Sequence, residues 1–506
     1  VSELPEHLGT DAVRGRFPTL DHVWLGAALT IVLVRALAWP ITPSDFWWQL
    51  AYGRWIVEHG AIPAIDHFSY TRAGEPYFDQ PWLSQLIMFG IYRVGGATLS
   101  LVSLAAILGL TYAMLLRQAI ARSRNIRISA AVLVLSLPVA MTNWSVRSQL
   151  FALPLFVAYL AVLEDWRREP RDRSGAGPSS RLWLLPALML LWVNLHGSFV
   201  LGGLLITLNF VAESIGFVTG RDRRPDRLLQ LVLWGGLAAA AVLVNPRGPG
   251  VFAYVLDLVG NPSIQGAVEE WMAPTMGTIV GRTFFPYAGL VAVVALTAAV
   301  RRRSVRIVDL LVLATFFWLA LGGERHVMWF ELVSVPFLAE QVALLTGDRT
   351  GERQGSLAIN RAFLVTFAGA VVLVLPPVKQ SLPLPPELSP LISPDTPVAS
   401  VRFLETDRAA PERLFHTEKT GSYLMWAARG RKVFIDARVE LYPAGQIRDF
   451  QQLNAGIAVD SLLSRYEIDG LLLDNLRQAK LLEWALLSPE YEVRFEEPCC
   501  TYLVKR

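Results

Sequence analysis

Acidic residues mark the stretch from Ser44 to Trp82, SDFWWQLAYGRWIVEHGAIPAIDHFSYTRAGEPYFDQPW, which begins with Asp45 and carries Asp66, His67 and Asp79 further on. Carboxylates at a water boundary can take a proton from a hydroxyl or hold a cation. Phe46, Trp47, Leu50, Trp55 and Ile56 recur near helical spacing, with Arg54, Glu58 and His59 off that face. This pattern predicts an amphipathic helix lying in a membrane interface. Trp47, Trp48 and Trp55 suit the aromatic belt of such an interface, and Gly60 and Pro63 end the helix. A purely structural interfacial helix with solvated acids fits the same residues. A second group with chemical potential is Glu324, Arg325 and His326, set behind the Gly322–Gly323 pair. Guanidinium forks match phosphate oxygens, which makes Arg325 a candidate anion clamp.

These residues need elements to hold them. The chain has 506 residues, of which 53% are hydrophobic and 18% charged. Repeated apolar runs near twenty residues long exclude a soluble fold and predict a polytopic α-helical membrane protein with about eleven spans. The runs fall at about 22–41, 97–116, 128–141, 150–163, 182–193, 199–217, 228–244, 284–300, 307–321, 327–345 and 362–378. The first is read as a retained signal anchor, and Trp82 to Val94 as a second short amphipathic helix. Arginines cluster in alternate links: the N-terminal segment, 117–127, 165–181, 220–227, 301–306 and 349–361. The positive-inside rule makes those links cytoplasmic, mostly arginine and low-complexity filler, with the N-terminus inside and the tail outside.

The other links then share the outer face. Besides Asp45, Asp66, His67 and Asp79 they carry Asn143, Arg147, Asn194, His196, Asn245, Arg247, Glu269, Glu270, Trp271, Glu324, Arg325 and His326. Polar groups at span ends are costly unless paired, so a whole face of them suggests a cavity for a polar ligand. Individually, NPRGPG (245–250) also reads as a helix stop, and His196 as a satisfied histidine.

Residues 1–378 form the transmembrane part, with a long first outer loop at 42–82. Residues 379–397 form a stiff Pro-rich linker and 398–506 an extracytoplasmic α/β domain. In the tail, RLFHT, KVFIDA, GLLLD, YEVRFEE and TYLVKR read as strands of a partly parallel sheet, alternating with helical stretches. Asp436 and Arg438 close the KVFIDA strand, a common ligand edge, though the two can equally pair with each other. The two cysteines, Cys499 and Cys500, are adjacent and have no metal-type spacing. There is no Gly-rich phosphate loop, GxSxG or HExxH. The basic clusters lack interleaved aromatics, which argues against nucleic acid.

The acid after span 1, interfacial helices in a long first outer loop, many short spans and an outer C-terminal domain together resemble the GT-C superfamily. These are integral-membrane glycosyltransferases that use polyprenyl-phosphate-linked sugars. DFWWQLAYGRWIVEHGAIPAIDHFSYT, with PWLSQ, WVNLHGSF, NPRG, ERH and FIDARVELY, is similar to a bacterial GT-C-like group of unassigned substrate. The resemblance implies a multi-pass protein of the bacterial inner (plasma) membrane that transfers sugar at the outer face to a glycan, lipid or protein acceptor, among membrane lipids. It implies Asp45 as the catalytic carboxylate and Arg147 or Arg325 as the phosphate holder. The paired Asp-Glu of better-known families is missing, since Phe46 follows Asp45, and so is the WWD-type motif of oligosaccharyltransferases.

On this hypothesis Asp45 is the base of an inverting transfer, and Asp66 orients the acceptor or joins Asp45 on a divalent metal, Mg or Mn. Glu324 is a second candidate acid. His67, Arg147, Asn194, His196, Glu270, Arg325, His326, Asp436 and Arg438 are the candidate binding residues. The alternatives are a transporter or lipid-handling protein using the same outer cavity, or a non-catalytic GT-C scaffold.

Overall fold

The computed structural model describes residues 17–169, 181–221, 225–260, 269–301, 305–347, 355–383 and 389–506. Every apolar run read as a span forms a helix: α1 (Leu20–Ala38), α3 (Trp82–Ser123), α4 (Ile126–Ala140), α5 (Gln149–Arg168), α6 (Leu184–Leu195), α7 (Val200–Val218), α8 (Asp226–Val242), α10 (Ile279–Val300), α11 (Ile307–Gly322), α12 (Val327–Thr346) and α13 (Leu357–Val374). The helix α2 (Asp45–His59), whose residues Phe46–Arg54 are all buried in the protein where an interfacial position was expected, and the short α9 (Gly250–Gly260) complete this part. Among the described residues, eight helices are long and apolar enough to cross a membrane. Leu184–Leu195 and Ile307–Gly322 are apolar but shorter. At 1.5 Å per residue α6 is about 18 Å long, against a hydrocarbon core of about 30 Å. The expected count of eleven is therefore not reached on length.

Local chemistry sets the boundaries. Gly60 caps α2 at φ 65°, a left-handed conformation that costs glycine nothing. α3 is broken at Gly95 and Gly96, the latter at φ 57° and ψ −148°, which separates the amphipathic Trp82–Val94 piece from the span, as its sequence predicts. α2 crosses α3 closely at Gly53, where a Cβ would come within 2.2 Å of the Gln85 carbonyl oxygen. α12 lies inside the bundle, packed against α3, α4, α10 and α11. Its fully buried Glu331 is bonded by Ser136 Oγ at 2.7 Å and Tyr112 Oη at 3.3 Å.

Alternate links do gather at opposite ends of the bundle. At one end Arg122 meets Asp309 at 2.9 Å and also Glu340, while Arg306 meets Glu164 and Asp309 at 2.9 Å. Arg167 and Arg168 both reach Glu164 at 2.7 Å. Where they are described, these arginine-rich links are thus a largely buried ion-pair network and not filler, with Arg122 and Arg306 each reaching an acid on a neighbouring helix.

Past the bundle, α14 (Pro376–Ser381) lies where a stiff linker was expected. The buried Lys379 donates from Nζ to the Leu37 carbonyl at 2.9 Å and to Pro390 at 3.2 Å, and Ile41 pairs with Ile392, strapping this segment to the end of α1. The tail holds β1 (Leu414–His416), β2 (Gly470–Asp474), β3 (Tyr491–Glu497) and β4 (Cys500–Lys505) in the order β1-β2-β4-β3. β1 and β2 are parallel and the other pairs antiparallel. Around the sheet lie α15 (Val398–Thr406), α16 (Glu418–Ala427), α17 (Ala444–Asn454), α18 (Val459–Arg465) and α19 (Ala479–Leu487).

KVFIDA is not a strand of this sheet. Val433 pairs instead with the first loop, its N–H donating to the Phe68 carbonyl at 2.9 Å and its carbonyl accepting from Tyr70 at 3.0 Å. Val433, Phe434 and Ile435 are buried in this position. Arg54 adds bonds to the carbonyls of Met425 (3.1 Å) and Trp426 (3.0 Å). The tail and the first loop thereby form one folded unit.

Candidate functional site

Asp45 is the first residue of α2. Its Oδ1 accepts from Trp48 Nε1 at 3.2 Å, one turn on, and its Oδ2 lies 3.5 Å from Arg147 Nη1. The same Nη1 donates to both oxygens of Glu270 at 2.7 Å. Glu270 belongs to a short 3₁₀ turn, Glu269–Trp271, and the Trp271 ring lies 4.2 Å from the Arg325 guanidinium carbon. Arg325 is in a second 3₁₀ turn, Glu324–His326, tied to the first by the Glu324 N–H bond to the Met272 carbonyl at 2.9 Å. Gln49 fixes α2 to the link that carries Arg147: its Nε2 reaches Ser148 Oγ at 3.1 Å and its Oε1 accepts from Ser148 N at 2.9 Å.

The Asp45 and Glu270 side chains are 30% and 45% exposed, whereas Arg147 between them is 8% exposed. Burial raises the Asp45 pKa; Arg147 pulls it back and Glu270 pushes it up again. At Glu270 burial also opposes ionisation, but the charge and hydrogen bonds of Arg147 outweigh it and the pKa falls. His196 is held neutral by burial and by the charges of Arg325 and Arg147. The result is a poised carboxyl beside a carboxylate–guanidinium pair, with a second guanidinium nearby.

Chain neighbours of two of these residues line an apolar cleft. It runs between α2, α3 and α5 and is lined by Phe46, Met88, Leu104, Ile107, Val146 and Leu150 among others. Phe46 and Val146 are the chain neighbours of Asp45 and Arg147. The cleft is narrow, with about 10 Å³ of free volume.

No protein-family model and no curated protein matches the sequence. Solved structures do. Oligosaccharyltransferase AglB from Archaeoglobus fulgidus, in complex with an inhibitory peptide and a dolichol-phosphate, is similar over 90% of this chain and 69% of its own, at 12% identity and a TM-score of 0.52. ArnT from Cupriavidus metallidurans, bound to undecaprenyl phosphate, is similar over 95% of this chain and 97% of its own, at 14% identity and a TM-score of 0.52. The chain has a GT-C fold. A further Archaeoglobus fulgidus oligosaccharyltransferase structure, in complex with Zn and sulfate, matches at 12% identity and a TM-score of 0.51 over 96% of this chain and 73% of its own.

Within this fold, Asp45, Arg147, Glu270 and Arg325 come together from links far apart in sequence. Other candidates go elsewhere. Asp66, Asp436 and Arg438 form a separate, fully enclosed cluster. Arg438 donates from Nε and Nη2 to Asp436 at 2.7 and 2.6 Å, from Nη1 to Asp66 Oδ1 at 2.8 Å, and from Nη1 to the Tyr52 hydroxyl. Asp66 also accepts from Ser69 N at 2.9 Å and Ser69 Oγ at 2.6 Å, and Asp436 from the Tyr442 hydroxyl at 2.6 Å. With no exposed surface, these three side chains bolt the first loop to the tail and leave no ligand edge. Asp66 therefore does not join Asp45, and a metal held by that pair does not fit this arrangement. Among the described residues no cluster of three His, Cys, Asp or Glu side chains could hold a metal ion.

His67 is exposed and stacks on Trp55, away from the enclosed cluster. Asn194 is spent on structure, accepting from Trp82 Nε1 at 3.0 Å and donating to the carbonyls of Leu190 and Val244. His196 uses Nδ1 to cap the turn at Ser198. Buried atoms of Glu324 (Oε1) and His326 (Nδ1) have no partner. The sequence reading missed Trp48, Gln49, Ser148, Tyr254 and Glu440. Gln49 could have been found, since it sits four residues after Asp45 and so shares its helix face. Glu440, in a turn just past Arg438, is close enough to feel the Asp45 charge; burial pushes its carboxyl up to about 7.

Proposed function

We propose that this protein is a membrane glycosyltransferase that moves a sugar from a polyprenyl-phosphate donor to an acceptor hydroxyl at the outer face of the bacterial inner membrane. On this reading the N-terminus is cytoplasmic and the tail extracytoplasmic. The observation that carries it is the Asp45–Arg147 pair, whose chain neighbours Phe46 and Val146 line an apolar cleft. A polyprenyl phosphate sugar has those two needs: an apolar groove for the tail and a cation for the phosphate. The structures of similar fold bound to undecaprenyl phosphate and dolichol-phosphate support the same ligand class.

The chemistry follows from charge. Arg147, with Arg325 behind it, holds the phosphate and stabilises the charge it gains as a leaving group. Asp45 takes the acceptor proton while the hydroxyl oxygen attacks the anomeric carbon. The new C–O bond forms as the anomeric carbon–phosphate oxygen bond breaks, with its electron pair leaving on the phosphate. One in-line attack inverts the centre. Negative charge on Asp45 also favours an oxocarbenium-like transition state. Arg147 is engaged by Glu270 in this state, so the phosphate must displace that carboxylate, and the narrow cleft must widen to admit the tail.

The test is Asp45→Asn in purified protein with a panel of undecaprenyl-phosphate sugars. Transfer should fall about 10²- to 10⁴-fold, the usual weight of a general base, with undecaprenyl phosphate binding retained. Wild-type turnover in Asp45→Asn removes the base assignment.

A further inference from the structure

A second recess, with a free volume of about 170 Å³, lies beside residues 78–80. Its walls include Phe78, Asp79 and Gln80 from the first loop, Pro246 and Arg247 from the NPRG link, and Val251 at the start of α9. An engineered protein cavity of about 150 Å³ accommodates benzene, so this space suits one six-membered ring. Its lining says what kind of ring.

Asp79 is 5% exposed. Its Oδ1 accepts from Gln85 Nε2 at 2.6 Å, whereas Oδ2 has no partner. Burial pushes this carboxyl up to about 7. A buried carboxyl oxygen left without a donor is unfavourable, and native structures seldom keep one without a reason. Across the recess Arg247 is anchored through Nη2 to the Tyr77 carbonyl at 2.7 Å, with its guanidinium carbon 5.0 Å from the Phe78 ring centre, and its residue is otherwise exposed. Phe78, Pro246 and Val251 supply apolar faces between these polar groups. A hydrocarbon ring would leave Asp79 unsatisfied, and an anion would meet its carboxyl. A neutral ring bearing hydroxyls gives Asp79 a donor, gives Arg247 an acceptor and lays its C–H face on the apolar wall.

We propose that this recess binds one neutral pyranose ring, with a hydroxyl donating to Asp79 and another oxygen accepting from Arg247. Tyr254 connects it to the Asp45 group: its ring stacks on Phe78 at 4.6 Å, and its hydroxyl feels Glu440, Arg325 and Asp79. Taking the transferase reading as given, the recess is an acceptor subsite and the acceptor is a glycan.

The experiment is saturation-transfer NMR on the full chain in lipid nanodiscs, free of glycoside detergent. The probes are methyl glucoside, methyl mannoside and N-acetylglucosamine, with cyclohexanol as the apolar control. At least one sugar should saturate where cyclohexanol does not. Asp79→Asn should weaken that sugar about tenfold, as expected for losing a charge-assisted hydrogen bond. Ala64→Phe, which fills the recess from an exposed position in its wall, should abolish binding while undecaprenyl phosphate binding stays within twofold. If no sugar saturates, or if binding survives Ala64→Phe, the site is overturned. If Ala64→Phe abolishes sugar binding but no donor supports turnover, the transferase reading fails and the sugar site stands.

Discussion

Replacing Arg438 with methionine removes the one cation from an enclosed cluster and leaves the Asp66 and Asp436 carboxyls facing each other with no exposed surface. Part of their bonding survives. Asp66 keeps Ser69 and the Phe68 N–H, and Asp436 keeps Tyr442 and the backbone N–H of residue 438. The four side-chain bonds from the guanidinium do not survive. Breaking a buried pair from one side costs about 3–5 kcal/mol, which at 1.36 kcal/mol per decade is about 10²- to 10⁴-fold in a local opening constant.

Hydrogen exchange at the Tyr70 and Val433 amides reads this directly, because their backbone bonds join the loop to the tail. Protection should fall by that factor in Arg438→Met. It should change little in Arg465→Met, which breaks an exposed pair with Asp449 worth under about 1 kcal/mol. The effect should also depend on pH. Burial alone would raise the Asp436 pKa, but Arg438 overrides it and holds the carboxyl below its ordinary range. Its stabilising contribution is therefore present above the unfolded value of about 3.9 and lost as pH falls through the depressed folded value. Without Arg438 the burial effect remains and raises the pKa, so the variant gains stability as pH falls. The gap between the two proteins should narrow from pH 7 towards pH 4. Protection at Tyr70 and Val433 within threefold of wild type at pH 7 refutes the reasoning.

Glu270→Gln frees Arg147 from a charged competitor, so undecaprenyl phosphate binding, measured by titration, should tighten by up to about tenfold, the scale of one charge-assisted bond. Trp48→Phe removes a hydrogen bond that lowers the Asp45 pKa. The acid limb of the transfer–pH profile, where Asp45 protonates and activity is lost as pH falls, should move to higher pH with the plateau nearly kept. Gln49→Leu strands two buried partners on Ser148, which should cost about 1–3 kcal/mol in thermal unfolding and weaken undecaprenyl phosphate binding through a misplaced Arg147.

What the sequence disclosed was whatever is written locally or periodically. Gly95 and Gly96 divide α3 where the pattern changes from amphipathic to uniformly apolar. The alternation of arginine-rich and mixed polar links correctly separates the two ends of the bundle. Gly60 marks a helix end by its capping chemistry, as its sequence position predicts. What stayed hidden is non-local. KVFIDA is a short apolar run, and such a run looks the same whether its partner is a sheet or a distant loop. Asp66 and Arg438 are both conspicuous, but nothing in their spacing says they neutralise each other. Of the eleven runs read as spans, α6, α8 and α11 form helices too short to count on length, because hydropathy marks an apolar run and not how far its helix extends. Asp45 and Arg147 were both named, but their approach to 3.5 Å is set by the Gln49–Ser148 bonds, which no motif records.

The clasp between Asp66 and Arg438 joins residues 372 positions apart. At synthesis rates of about 5–20 residues per second, roughly 20–75 s separate the emergence of the two halves. Throughout that interval the bundle can assemble while the loop beginning at Asp45 lacks the segment its backbone pairs with. The enclosed Asp66–Arg438–Asp436 cluster is therefore finished last, after the ribosome has passed Arg438. A prematurely terminated chain would then carry its apolar helices without the backbone partner that holds the first loop at Phe68 and Tyr70.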